Sequence, residues 1–106
     1  METAKNGDGL EYCIVRCTRA GVHSGFVAKK ESTLAGVEVT LLQTRRLWKW
    51  YGRTLSGLAL EGTLDASKCK FSPEIPKNIV LDACEIISCT EAGMESLRGV
   101  PEWVNN

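Results

Sequence analysis

The sequence "GVEVTLLQ" (residues 36–43), followed at once by "TRRLWKWYGR" (44–53), decides the fold class. In the first segment valine and leucine alternate with polar residues, which is the pattern of a strand with one buried face. The second segment contains Trp48, Trp50 and Tyr51, whose large rings favour strand structure. The two segments therefore predict neighbouring strands of an antiparallel sheet.

Two more strands are predicted upstream of this stretch. "LEYCIVRC" (10–17) and "FVAKKES" (26–32) are rich in strand-forming residues, and a turn with two glycines separates them. We expect these strands, with 36–43 and 45–51, to form a four-stranded antiparallel meander over residues 10–51.

The periodicity then changes to that of helices. "TLSGLALEG" (54–62) has leucines at helical spacing and ends on a glycine, and "EAGMESLRG" (91–99) follows Thr90, a preferred N-cap residue. Between them we expect a loop over 63–78, which contains two prolines, and a strand over 79–89. The prediction is an α+β fold with a small antiparallel sheet and two short helices.

Length and composition restrict the class of protein. A chain of 106 residues predicts one domain, here residues 10–106 after a flexible segment over 1–9. Thirteen basic and thirteen acidic residues cancel, which argues against bulk binding to polyanions. No apolar run is long enough for a membrane span.

Cysteine and histidine usage gives two further expectations. Five cysteines without an apolar leader predict free thiols in a reducing cytosol. With a single histidine and no base–nucleophile pattern, we expect no bound metal, no cofactor and a binding protein rather than an enzyme.

The basic and aromatic run is the first candidate site. On a strand, Arg46 shares a face with Trp48 and Trp50. One reading is a core strand with solvated cations; the other is a pocket for a ligand that carries phosphates and a flat base, because guanidinium groups match phosphate oxygens. Spacing alone leaves both open.

Other candidate residues also have two readings. Phe71, in the loop segment "CKFSP" (69–73), either fills the edge of the core or offers a ring for stacking. Arg98 suits the C-terminal end of a helix, and Thr90 caps one, although a helix N-terminus also attracts anions.

Four segments carry a resemblance to a known family: "YCIVRCTRAGVHSGFV" (12–27), "RRLWKWYGRTLSGLALEG" (45–62), "CKF" (69–71) and "EIISCTEAGMESLRGVPEW" (85–103). Together they resemble a family of small phage proteins that includes the first-described sponges against the Thoeris antiviral system. The resemblance spans residues 12–103, nearly the whole predicted domain.

The resemblance implies a function, a site and an assembly. Members capture cyclic ADP-ribose isomers made by bacterial TIR enzymes, do not cleave them, and act in the host bacterial cytoplasm. They form homo-oligomers, expected to be hexamers, with the ligand at subunit interfaces. Some also hold cyclic di- or trinucleotides of the CBASS system at a separate place.

By the family pattern, Phe71 would stack on the base, while Arg46, Arg98 and more weakly Arg16 would neutralise the phosphates. Trp48 would shape the wall of the pocket, and Thr90 is the residue implied for the second place.

One departure affects the expected ligand. Where members of the family carry small residues, this chain has "YGRTLSG" (51–57), so Tyr51 and Arg53 put the ligand preference in doubt. Two other functions remain alternatives: a single-strand nucleic-acid-binding module and a protein inhibitor of a host defence enzyme.

Overall fold

The computed structural model describes residues 2–104 of the chain. The helices and strands of these residues are β1 (Tyr12–Cys17), β2 (Val22–Thr33), β3 (Gly36–Lys49), α1 (Leu55–Glu61), β4 (Lys70–Phe71), β5 (Ile75–Ser88) and α2 (Glu91–Gly99), with a single 3-10 turn at Ala66–Lys68. All of the strand pairs are antiparallel. The predicted α+β class, with an antiparallel sheet and two helices, is confirmed.

The sheet closes on itself. β1 pairs with β2 and β5, and β3 pairs with the same two strands, so four strands form a ring to which β4 is attached through β3. Consecutive pairing of β1, β2 and β3 is the predicted meander. Closure through β5 was not predicted, because the pairing of β1 with β5 joins residues far apart in the sequence.

The prediction of separate strands over 36–43 and 45–51 is wrong, because Gly36–Lys49 is one strand. Gln43 lies in the left-handed region, with φ 47°, and the register with β2 shifts beside it. At this bulge the ladder with β2 is interrupted, and the strand then continues to Lys49. Gly25 lies opposite, where an added Cβ would be 2.8 Å from the Cβ of Thr44, so a side chain has no room there.

The predicted loop over 63–78 is also partly wrong, since β4 lies within it and β5 begins at Ile75 rather than 79. Pro76 is tolerated because this half of β5 pairs only with β3, while β1 pairs with its second half. Both predicted helices are confirmed, with Thr54 and Thr90 as N-caps.

Two groups of buried apolar side chains stabilise the fold, one on each side of the sheet. The cluster inside the ring contains Cys13, Val15, Cys17, Val39, Leu41 and Val80. The larger cluster lies under the helices and includes Tyr12, Ile14, Phe26, Phe71, Leu58 and Leu97. β1 is therefore buried on both faces, as its burial pattern shows.

The start of the chain is anchored around Ala4, and Lys5 forms a bridge with Glu11. Ala4 is 1% exposed, and its amide donates a hydrogen bond to the carbonyl of Cys89 at 2.8 Å. The expected flexible segment over 1–9 thus contains a residue that packs on the core, and Met1 lies outside the described residues. All five cysteines are free, as predicted, and four of them are buried.

Candidate ligand-binding clefts

The last part of β3 places Arg46 and Trp48 on an exposed surface of the sheet. Along this part of β3, Arg45 and Leu47 are buried while Arg46 and Trp48 are exposed. The predicted shared face of Arg46 and Trp48 is therefore present, and Trp48 is 53% exposed. Trp50, predicted on the same face, lies beyond the end of β3 and packs against the cluster of buried residues under the helices.

Two neighbouring depressions meet at Arg46. The small cleft, of about 200 Å³, is lined by the consecutive residues Thr44, Arg45 and Arg46 and by Trp48 and Asn78, among others. The large cleft, of about 540 Å³, extends from Arg46 and Asn78 along the start of β5. Because both clefts share these two residues, they adjoin each other at Arg46 and Asn78.

The large cleft combines a charged end with an apolar wall. Arg19 and Asp82 lie at one end, and the wall includes Ala35, Ile79 and Leu81. Asp82 accepts a hydrogen bond from the backbone amide of Arg19 at 2.7 Å, which fixes the turn after β1 beside β5.

Arg46 keeps its guanidinium group available. Its backbone amide donates to the Ser72 hydroxyl at 2.7 Å, which fixes the strand. Within residues 2–104, no carboxylate lies within 4.0 Å of the guanidinium of Arg46 or of Arg19. Two cations without an ion-pair partner therefore face the same surface.

Arg45 is a site residue that the sequence reasoning missed. It is 4% exposed, and its guanidinium donates from Nε to Ser72 O at 2.9 Å and from Nη1 to Leu97 O at 3.0 Å and Val100 O at 2.6 Å. Burial lowers the pKa of this guanidinium from its usual value. The sequence contains a signal for this burial, because the strand alternation that exposes Arg46 places Arg45 on the same face as Leu47.

His23 is the second missed residue. It is buried, its Nε2 lies 2.9 Å from the carbonyl oxygen of Ala20, and it pairs across the strands with Arg46. Burial lowers the pKa of His23, and the charge of Arg46 acts in the same direction. The imidazole is therefore neutral at pH 7.

Trp48 is held in place by the end of the chain. Its ring makes an edge-on contact with Trp103, at 5.9 Å between ring centroids, and Trp103 N donates to Phe71 O. The ammonium group of Lys70 lies over the Trp103 ring, 4.9 Å from its centroid. Trp48 thus lines the small cleft beside Trp103.

Phe71 requires a correction. Its ring is 0% exposed, and the guanidinium of Arg45 lies 5.2 Å from the ring centroid. The expected stacking of Phe71 on a base has no accessible ring face here, because Phe71 belongs to the cluster under the helices. The structural reading of this residue, a ring that fills the core, is the one observed.

The other predicted residues do not line either cleft. Arg98 donates to both carboxylate oxygens of Glu74, at 3.1 and 2.8 Å, and this contact raises the pKa of its guanidinium. Arg16 forms a 3.0 Å ion pair with Glu85 on the surface. Each of these arginines already has a counter-charge, so a phosphate would have to displace a carboxylate.

Thr90 has a local role. Its hydroxyl accepts a hydrogen bond from Gly93 N and so caps α2, and it donates to the carbonyl of Leu60 at the end of α1. It also lines a surface depression together with Ser56 and Cys89. None of the residues that line this depression lines either cleft.

Residues 2–104 were compared with the geometric requirements of a metal site and of a membrane-spanning helix. No group of three histidine, cysteine, aspartate or glutamate side chains is arranged to hold a metal ion. None of the helices in this range has the length and apolar character that crossing a bilayer requires.

The structure is a small α+β domain with two adjoining clefts lined in part by arginines. The chain belongs to the family described as a domain of unknown function, DUF6948, whose model matches residues 10–97. Comparison with curated proteins and with solved structures found no match.

Proposed function

We propose that this protein is a phage anti-defence sponge that binds a cyclic nucleotide signal, such as a cyclic ADP-ribose isomer, and withholds it without cleaving it. The observation that carries the proposal is the meeting of the two clefts at Arg46, an arginine without an ion-pair partner among the described residues. The resemblance to phage sponges supplies the ligand class and the host cytoplasm as the place of action.

The chemistry of the clefts suits such a ligand. Guanidinium groups bind phosphate oxygens through paired charge-assisted hydrogen bonds, and Arg45, Arg46 and Arg19 bring three of them to this surface. The apolar wall of the large cleft, with Ile79 and Leu81, suits the flat faces of a base and a ribose. Of the residues that the resemblance implies, the proposed site contains Arg46 and Trp48. It does not contain Phe71, Arg98 or Arg16.

A homo-oligomer, expected to be a hexamer, would complete the site. Tight binding of a small ligand requires burial of most of its surface, about 70–90%. Ile75, Ile79 and Leu81 are exposed beside the clefts, and apolar residues grouped in this way favour an interface. A second copy seated on them would cover a ligand in the clefts.

The test is capture and recovery of intact ligand. The full-length protein is incubated with a cyclic ADP-ribose isomer, freed of unbound ligand and heat-denatured, and the supernatant is assayed. Recovery of unchanged ligand in stoichiometric amount is expected. Recovery of a hydrolysed product would overturn capture without cleavage, and recovery of nothing would overturn the ligand class.

A matched pair of variants tests the site. Arg46→Gln should weaken ligand binding by roughly 10- to 100-fold, because a charge-assisted contact is removed. Lys29→Gln removes the same charge from an ion pair with Glu31 on the β2–β3 hairpin and should bind as the wild type does. Equal affinities of the two variants, measured by calorimetry, would exclude Arg46 from the site.

A single-strand nucleic-acid-binding module is the second candidate. It is favoured by two lysine–ring contacts near the end of β3, Lys68 over Tyr51 at 4.3 Å and Lys70 over Trp103 at 4.9 Å. Successive bases stack on such rings while cations follow the backbone. Salt-dependent binding of short oligonucleotides by the wild type, with no capture of cyclic nucleotide, would favour this function instead.

A further inference from the structure

One nitrogen of the buried guanidinium of Arg45 is left without a protein partner. Nε and Nη1 donate to the carbonyls of Ser72, Leu97, Arg98 and Val100, whereas Nη2 makes no hydrogen bond to residues 2–104. In that range the sole fully buried side-chain nitrogen or oxygen without a partner is Nε of Arg53. Nη2 of Arg45 therefore keeps accessible surface, and Arg45 lines the small cleft.

The small cleft also lacks negative charge on its walls. Its lining residues include two arginines and no aspartate or glutamate, and the neutral His23 adds no charge. The large cleft differs, because Asp82 faces it together with Arg19 and Arg46. An anionic group is therefore favoured in the small cleft over the large one.

Two further side chains of the small cleft, Arg46 and Asn78, have donor groups that are not used within residues 2–104. The side-chain amide of Asn78 makes no hydrogen bond within residues 2–104, and neither does the guanidinium of Arg46. By contrast, the Thr44 hydroxyl already donates a hydrogen bond to the carbonyl oxygen of Ser24 at 2.8 Å. Three residues with unused donor groups, Arg45, Arg46 and Asn78, thus line one depression.

We propose that the small cleft is the phosphate subsite of this protein, with Arg45 Nη2 as its fixed donor and Arg46 and Asn78 as its adjustable ones. The inference rests on the proposed function and assigns one part of the ligand to one part of that site. A cleft of about 200 Å³ is below the roughly 300 Å³ at which ligand pockets begin, so it takes one group of a nucleotide and leaves the remainder to the large cleft.

Arg45 contributes differently from an exposed arginine. Its position is set by hydrogen bonds to four carbonyls, so binding of a phosphate oxygen to Nη2 orders no mobile side chain. Groups fixed before binding lose less conformational entropy when the ligand arrives. A neutral analogue of the ligand would leave this donor unpaired in the closed site and should bind poorly.

Titration with inorganic phosphate tests the subsite directly. In nitrogen-detected spectra of arginine side chains of the full-length protein, the Arg45 signals are assigned from their contacts with the Phe71 ring. Phosphate, with sodium chloride at equal ionic strength as the control, should shift the Arg45 and Arg46 signals in a saturable way. Absence of a saturable Arg45 shift, or a shift confined to Arg19, would overturn the assignment.

Variants give a second readout. Arg46→Gln and Asn78→Ala should each weaken phosphate binding about 10-fold, whereas Lys29→Gln should leave it unchanged. Equal phosphate affinity in all three variants would also overturn the assignment, even if the proteins are fully folded.

The two proposals fail separately. Capture of a cyclic nucleotide with no phosphate shift at Arg45 would retain the sponge function and reject the subsite. Saturable phosphate binding at Arg45 without capture of any cyclic nucleotide would retain the subsite and reject the sponge.

Discussion

Arg45 and Arg46 are adjacent in sequence and have opposite environments. The side chain of Arg45 is buried and donates to carbonyls at the end of α2, with Nη2 left unpaired beside the small cleft, while the side chain of Arg46 is exposed where the two clefts meet. The difference follows from strand geometry, because successive side chains point to opposite faces. One residue type is therefore buried and hydrogen-bonded at one position and exposed at the next.

Substitution of Arg45 should destabilise the protein. Arg45→Met removes the donor for buried carbonyls of Leu97 and Val100 and should lower the free energy of unfolding by about 3 kcal/mol. Urea unfolding measures this change. Lys29→Met, at an exposed ion pair, should change it by less than about 1 kcal/mol, and equal losses in both variants would contradict the structural role of Arg45.

His23 should make stability depend on pH. Its pKa is lowered by burial, so between that lowered value and the unfolded value of about 6.5 the unfolded chain binds more protons. The stabilisation is complete above pH 6.5 and is lost as the pH falls below it, by at most about 1.4 kcal/mol per pH unit. Urea unfolding of the wild type and of His23→Gln at several pH values checks this. The same pH dependence in both proteins would exclude His23 as its source.

At the scale of elements, the two helices depend on one close contact. Gly93 in α2 packs on the backbone of α1, where an added Cβ would overlap the carbonyl of Ala59. Thr90 N donates to that same carbonyl, so α1 cannot move away freely.

Alanine substitutions test this helix contact. Gly93→Ala should lower the free energy of unfolding by about 2 kcal/mol, because the helices must separate. Gly99 lies in the same helix, and a Cβ added there would have no neighbouring atom within 4 Å. Gly99→Ala should therefore leave the free energy of unfolding unchanged or raise it slightly. Thermal unfolding of both variants provides the comparison, and a Gly93→Ala protein as stable as Gly99→Ala would contradict the contact.

Local signals explain which elements were predictable. Thr54 and Thr90 cap the two helices through their own hydroxyls, so the start of each helix can be recognised in the sequence. The bulge at Gln43 and the strand start before Pro76 depend on the partner strands, which local patterns do not report.

The site was predictable only in part, for the same reason. Alternation along β3 placed Arg46 and Trp48 on one face. Register alone brings His23 opposite Arg46 and Asn78 opposite Leu41, and so creates the clefts. The stacking role of Phe71 is what the family resemblance implies, and the strand pair with Leu47 that buries its ring is not reported by local patterns.

At the scale of the whole molecule, zero net charge coexists with a local excess of cations at the clefts. Native mass spectrometry of the full-length protein should show a hexamer that gains whole numbers of cyclic nucleotide per assembly. A monomer at micromolar concentration, with or without nucleotide, would contradict the proposed enclosure of the ligand between copies.

The hairpin of β2 and β3 has a consequence for behaviour at high concentration. From Ala28 to Thr33, β2 pairs with β3 on one side, and among the described residues no strand covers the other. Lys29, Lys30 and Glu31 lie on this open margin, and such charges oppose the addition of a foreign strand. Replacing both lysines with valine would turn the margin into a template for fibril growth, which a thioflavin T assay would detect.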